Sequence, residues 1–225
     1  TAPSYGDSER TIGAILGDTG LRDRLVLATK LDRDAIDDGR QRLEASFAAL
    51  GAARLDLVQL HNLRGAGTLL PLLREQKAAG HIGHIGITSS SASQYAEMEA
   101  IMRRESLDFI QVDYAVGNRG AEQRLLPLAA ERGMAVLVNL PFGRGAQFRA
   151  VAGRPLPGWA AEIDCDSWAQ VFLKFVLGNP AVTCAIPGST QAAHVADNLG
   201  AARGRLPDAT QRQVIARYFD AIADN

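Results

Sequence analysis

Residues 55–62, LDLVQLHN, decide the fold. Leu55, Leu57, Val58 and Leu60 read as a strand buried on both faces, and such strands belong to parallel sheets covered by helices. His61 then stands at the carboxyl end of that strand. In a parallel α/β barrel this end is the mouth, where loops assemble the active site and a polar side chain signals chemistry. One strand earlier, LVLAT at 25–29 is followed by Lys30 in the same place. Two buried-strand tips carrying Lys and His therefore point to one rim.

Working outward, the same alternation recurs. A helix is expected within 7–19, where Ile12, Ile15 and Leu16 share a face. Asp34 caps a second helix whose Ile36, Leu43, Phe47 and Leu50 recur at helical spacing and whose stop is Gly51. After His61 come a helix at 69–79, a strand at 82–88 (IGHIGIT) and a helix opened by a Ser91–Gln94 capping box. Then follow strand 109–115, helix 121–132 and strand 134–140. The Gly/Pro-rich stretch 141–160 is too long for a plain connector, and its Phe142, Phe148 and Trp159 suit a substrate pocket. Helix 166–178, strand 181–186, a helix from PGST through Leu199 and a terminal helix from Pro207 complete the chain. Six strand-helix units at this spacing mean a parallel sheet, either doubly wound or closed as an eight-stranded barrel. The barrel requires two further strands upstream of Thr1.

The 225 residues are 47% apolar and 22% charged, which suits one soluble domain spanning 1–225. A formal charge of -1 with interspersed signs offers no basic face, so neither nucleic acid nor a membrane surface is an expected partner. A small molecule is. Cys165 and Cys184 are too few for a disulfide framework and read as free thiols. No apolar run reaches the length of a membrane span and no signal-peptide pattern opens the chain, so a cytoplasmic location is expected, although an export signal upstream of TAPSYG would escape this reading. His81 and His84, three apart on a strand, face opposite sides and make no metal site.

Five motifs in order carry a family resemblance: TAPSYG at 1–6, ATK at 28–30, QLHN at 59–62, GITSS at 86–90 and IPGST at 186–190. Together they resemble the aldo-keto reductases. That resemblance spans the chain and implies a (β/α)8 TIM barrel recorded from its third strand to its eighth, with the first two strands and a catalytic aspartate upstream. It implies hydride transfer between NAD(P)(H) and an aldehyde, ketone or alcohol, with Tyr5, Lys30 and His61 as the catalytic residues present. Tyrosine, with a free pKa near 10, is a reluctant proton donor and base. A unit charge about 4 Å away at an effective dielectric near 20 is worth roughly 4 kcal/mol, so Lys30 is expected to bring Tyr5 towards neutral pH while His61 orients the substrate oxygen.

No G-x-G-x-x-G turn follows a strand, so the dinucleotide needs another anchor. Gly188, Ser189 and Thr190 are expected to open a helix whose amides and dipole attract phosphate. The resemblance places the adenosine half here, beside His194, Asp197 and Asn198, and the nicotinamide carboxamide at Thr88, Ser89 and Gln111. Asn139 takes the place of a stacking tyrosine. Phe142, Gly143, Arg144 and Gly145 border the pyrophosphate. Where relatives use Lys and Arg to hold the 2'-phosphate, this chain has Gly188 and His194, so NADP(H) is expected with NAD(H) as the alternative. Two rival readings remain: a cofactor-binding regulatory subunit of the same fold, and a barrel enzyme acting on a phosphorylated substrate at the PGST helix. With sheet edges open beside 25–29 and 182–186, the 225-residue piece is expected to be inactive or insoluble alone. Oligomeric state is not legible.

Overall fold

A computed structural model describes residues 1–223. Contacts divide the chain into two compact units, Thr1–Ser89 with Ala96–Ile110, and Ser90–Tyr95 with Gln111 onward.

The first unit begins with the turn that carries Tyr5. Tyr5 N donates to the Ala2 carbonyl (3.0 Å), Ser8 N donates to the Tyr5 carbonyl (3.2 Å), and Gly6 supplies the positive φ of 58° that the turn requires. α1, Ser8–Thr19, follows and stops at Gly20. Its buried Glu9 accepts from Thr29 Oγ1 (2.5 Å) and Ser46 Oγ (3.2 Å), which ties it to the next strand and helix. Gly13 lets α1 lie closely on α2, since a Cβ there would stand 2.2 Å from the Ala49 carbonyl oxygen. β1 runs Ala28–Leu31, later than the expected 25–29. The reason is local: Arg22 closes a turn onto Leu25 and its guanidinium takes the Leu25 carbonyl (3.1 Å), so Leu25 and Val26 stay exposed and unpaired with β2. Lys30 consequently lies inside the strand.

α2, Ile36–Leu50, ends at left-handed Gly51 as expected, but Asp34 does not cap it. Ala35 holds that position, and the Asp34 carboxylate pairs with Arg64 at 2.6 Å. β2, Leu55–Leu60, is buried along almost its whole length. α3, Ala66–Ala78, starts three residues before the expected Leu69 because left-handed Gly65 already offers its carbonyl to Leu69 N (2.7 Å). β3 covers Ile82–Thr88. β1 pairs with β2 and β2 with β3, all parallel, with Lys30 in register with Gln59 and Gln59 with Gly86. Each buried leucine of this core (Leu31, Leu43, Leu50, Leu55, Leu60, Leu69) contributes about 1.5–3 kcal/mol by leaving water.

The expected Ser91–Gln94 capping box is not completed, since the Ser91 side chain does not cap the turn that follows. Ser91 Oγ bonds Ser93 Oγ (2.8 Å), a 3-10 turn takes residues 92–94, and α4, Tyr95–Arg104, starts after it. β4, Phe109–Asp113, ends earlier than expected because Ala115 and Asn118 close a turn with two 3.0 Å bonds.

In the second unit the expected helix 121–132 divides into a 3-10 turn and α5, Leu125–Glu131, with Pro127 in its first turn, where a helix has no use for an amide donor. β5, Ala135–Asn139, is followed by the short α6, Ala146–Ala150. α7, Trp168–Leu177, is capped by Ser167, whose Oγ accepts from Gln170 N (3.1 Å). β6 is only Cys184–Ala185, parallel to β5, although Thr183 N to Val136 O and Ile186 N to Val138 O (2.9 Å each) extend the pairing. α8 is Ala192–Gly200, so Gly188, Ser189 and Thr190 precede the helix instead of opening it; Ser189 Oγ accepts from Gln191 N at 3.2 Å. α9, Ala209–Ala223, is entered through a reciprocal Asp208–Gln211 box, 2.8 and 3.1 Å. Tyr114, Phe172 and Phe175 are the largest apolar side chains of this core.

Strand order in the sheet equals chain order, β1 to β6. A doubly wound sheet reverses its order at a switch point, and this one does not. The order is that of a (β/α) barrel wall.

Candidate active site

In the first unit Tyr5, Lys30 and His61 converge. The Tyr5 and His61 rings meet edge to face, centroids 5.8 Å apart at 86°. Lys30 Nζ lies 5.1 Å from the Tyr5 ring centroid, within cation–π range, and donates to the Thr1 carbonyl at 2.9 Å. Lys30 is 5% exposed and Tyr5 50%, so the ammonium sits beneath a phenol that reaches solvent. Ser4 Oγ and His61 Nδ1 share a 3.4 Å hydrogen bond.

Burial governs the electrostatics. It lowers the Lys30 pKa to about 8. Burial also lowers the His61 pKa, with the Lys30 charge adding to the shift and Asp32 opposing it, so the imidazole is neutral at pH 7. Tyr5 moves opposite to expectation: burial raises its pKa. The ammonium is directed to the Thr1 carbonyl and the ring face, and in the resting site its field does not overcome desolvation of a phenolate.

His61 opens a cavity of about 650 Å³ lined by Ser4, Asp32, His61, Asn62, Leu63, Arg64, Gly65 and Glu97. Its floor is strained: Asn62 (φ 52°) and Leu63 (φ 61°) are consecutive left-handed residues, at roughly 1–3 kcal/mol each. Such strain persists where surrounding structure enforces it, here through buried Leu63. Ser4 and Asp32 escaped the sequence reading although each lies one or two residues from a residue it chose. Thr88 and Ser89, at the carboxyl end of β3, are fully buried.

The second unit gathers most of the residues expected around adenosine. A cavity of about 350 Å³ is lined by Phe142, Phe148, Ser167, Trp168, Ala169, Gly188, Ser189, His194, Asp197 and Asn198. Phe142 and Phe148 pack at 4.9 Å and Phe148 on Phe172 at 5.5 Å. Trp159, the third aromatic assigned to a substrate pocket, packs instead on Tyr218 of α9. Both Asp197 oxygens are engaged, by Ser167 Oγ (2.8 Å) and Gln170 Nε2 (2.7 Å). Thr190, Gly143, Arg144 and Gly145 are outside the lining, and the last three have positive φ. Gln111 is buried in β4 and Asn139, half-buried, ends β5. Replacing Ser167 by alanine removes both the α7 cap and an Asp197 partner; a thermal midpoint about 2–4 °C lower is expected, and an unchanged one would show the cap to be idle.

The other histidines have separate partners: His81 Nδ1 bonds Gln76 (2.9 Å) and His84 packs on Phe109. No helix among the described residues is long and apolar enough to cross a membrane.

Residues 1–216 match the model of the aldo/keto reductase family, and the chain belongs to that family, a class of NAD(P)-dependent oxidoreductases built on a (β/α)8 barrel. Among its relatives it is 27% identical over 206 positions to the methylglyoxal reductase YeaE of Escherichia coli (strain K12), covering 88% of this chain and 71% of that one. It is 24% identical to the aldo-keto reductase str7 of Strobilurus tenacellus, covering 96% and 74%. Among solved structures it resembles an aldo-keto reductase of Klebsiella pneumoniae determined with NADP and acetate, with a TM-score of 0.81, 24% identity, and 97% and 78% of the two chains covered.

Proposed function

We propose that the protein interconverts aldehydes or ketones with alcohols by hydride transfer, using NADP(H) with NAD(H) as the alternative, and Tyr5 as general acid and base. The observation that carries this reading is that ammonium and imidazole each lie within 6 Å of the Tyr5 ring at the carboxyl end of parallel strands. A dinucleotide suits the second unit. The aromatic-walled cavity lies within the usual range of ligand sites, and beside the FGRG loop the buried Gln147 carboxamide has no hydrogen-bond partner among the described residues. The adenosine half would rest against Gly188, Ser189, His194, Asp197 and Asn198, with the pyrophosphate along 142–145.

When bound, NADPH supplies the hydride that reaches the carbonyl carbon. Tyr5 gives its proton to the carbonyl oxygen as negative charge gathers there. His61, held at Nδ1 by Ser4, orients that oxygen through its other ring nitrogen. The raised Tyr5 pKa keeps the phenol protonated at rest, and the Lys30 charge acts as the tyrosinate forms. Water then reprotonates the phenol.

The pH sign follows from Lys30. Below about 8 its ammonium is intact and supports the forming tyrosinate; above that value the charge is lost and reduction slows. In the full chain, kcat/KM for reduction is expected to fall through pH about 8, and Lys30→Met to remove that inflection with a loss of about 100-fold at pH 7. The reading itself is tested by carbonyl-dependent loss of NADPH absorbance together with quenching of Trp168 fluorescence by NADPH. A response to neither would end it.

A further inference from the structure

We infer that Glu9 is a positioning residue for the proposed reduction: it sets the distance between the Tyr5 phenol and the Lys30 ammonium by fastening the turn that carries the one to the strand that carries the other. This rests on the roles proposed for Tyr5 and Lys30. From Pro3 to Ile15 the one buried residue is Glu9, 7% exposed, while Tyr5, Gly6, Asp7, Arg10 and Thr11 face solvent. The segment that presents the phenol is therefore held at one carboxyl group. One of its oxygens accepts from Thr29 Oγ1 at 2.5 Å and the other from Ser46 Oγ at 3.2 Å, and both donors are fully buried.

Position 29 gives the contact its reach. Thr29 immediately precedes Lys30 in β1, and successive side chains of a strand point to opposite faces. The bond thus holds the strand from behind, at the residue next to the ammonium. On the other face Lys30 Nζ donates to the Thr1 carbonyl (2.9 Å), and Thr1 Oγ1 donates to Ser8 Oγ (2.7 Å), one residue before Glu9. Lys30, Thr1, Ser8, Glu9 and Thr29 close a ring of contacts around the loop that bears Tyr5. A leucine at position 9 would also keep α1 on the core, but burial of apolar surface has no direction. Hydrogen bonds from two fixed hydroxyls set both the depth and the rotation of the first helical turn. The attraction between the ammonium and a forming tyrosinate falls with distance: at an effective dielectric near 20, drifting from about 4 to about 6 Å costs about tenfold in rate.

The test measures single-turnover reduction with NADPH bound in the full chain, using whichever of 4-nitrobenzaldehyde, glyceraldehyde and butanone the unaltered protein reduces fastest. Thr29→Val removes the donor and keeps the shape, Thr29→Ser puts the hydroxyl back, and Glu9→Leu removes the acceptor. Thr29→Val is expected to be slower by about tenfold with NADPH affinity within about twofold, Thr29→Ser to return to within about threefold of the unaltered rate, and Glu9→Leu to lose at least as much as Thr29→Val. The threonine pair carries the test if Glu9→Leu does not fold. Placed on Tyr5→Phe, Thr29→Val is expected to add less than about twofold, since a residue acting through the phenol then has nothing to act on. A merely structural role would instead lower NADPH affinity or slow Tyr5→Phe by the same factor. Either of those results, Thr29→Val at the unaltered rate, or no recovery in Thr29→Ser would overturn the inference and leave the reductase reading standing. An unaltered chain that reduces none of the three carbonyls would overturn both.

Discussion

Tyr5→Phe in the full chain is expected to lower kcat for carbonyl reduction by about 10³-fold while leaving NADPH binding within twofold. The substitution removes one hydroxyl, and with it the proton that must reach the carbonyl oxygen; positioned acid–base groups contribute about 10²–10⁴-fold. The ring stays, so its edge-to-face contact with His61 and the cation–π contact with Lys30 survive. Loss of kcat without loss of dinucleotide affinity separates chemistry from folding. His61→Ala would be a poorer probe, because it also frees Ser4 and disturbs a strained turn. Near wild-type reduction by Tyr5→Phe would remove the phenol from the mechanism.

The second large effect lies at a residue with no assigned chemistry. Lys174 is fully buried on α7, and its Nζ donates to four backbone carbonyls: Ile163 (2.6 Å), Asp164 (3.3 Å), Arg203 (2.6 Å) and Arg205 (3.1 Å). One ammonium thus pins two turns to one helix. Lys174→Met keeps the length of the side chain but leaves those carbonyls without their donor. Breaking a buried charged network from one side costs about 3–5 kcal/mol, which for a chain of this size is a fall in thermal midpoint of about 10 °C. Calorimetry on the variant checks it. A loss below about 1 kcal/mol would mean that the turns hold themselves, through the Asp164–Arg205 pair at 3.1 Å.

Parallel strands and the strand-end placing of Lys30 and His61 were legible because each rests on a local rule: buried runs alternate with helical periods, and a polar residue at a buried strand's carboxyl end has nowhere to go but the rim; Tyr5 was legible only through the family resemblance. What was not legible depends on partners distant in sequence. S-x-x-Q occurs at Ser91–Gln94 and at Ser167–Gln170; only the second caps, because there Asp197 holds Ser167 Oγ and Gln170 Nε2 while Gln170 Oε1 takes Asp166 N. Asp34 has the residue type and place of a cap, but Arg64 holds its carboxylate. Lys174 carries no local signal, since its four carbonyls come from two turns on either side of it in sequence. The Tyr5 pKa was misjudged in sign: a residue list places a charge near a phenol but cannot weigh that charge against the desolvation of both groups.

Cooperation among the rim residues is tested most directly by single-turnover rates of carbonyl reduction in Tyr5→Phe, Lys30→Met and the double variant, each with NADPH bound. If Lys30 acts only through the charge that forms on Tyr5, the double variant is expected to be no slower than Tyr5→Phe alone, since groups working as a unit lose their effect together. Losses that multiply, about 10²-fold beyond the tyrosine variant, would mean that the two residues act independently and that the ammonium beneath the phenol is not what drives the proton step.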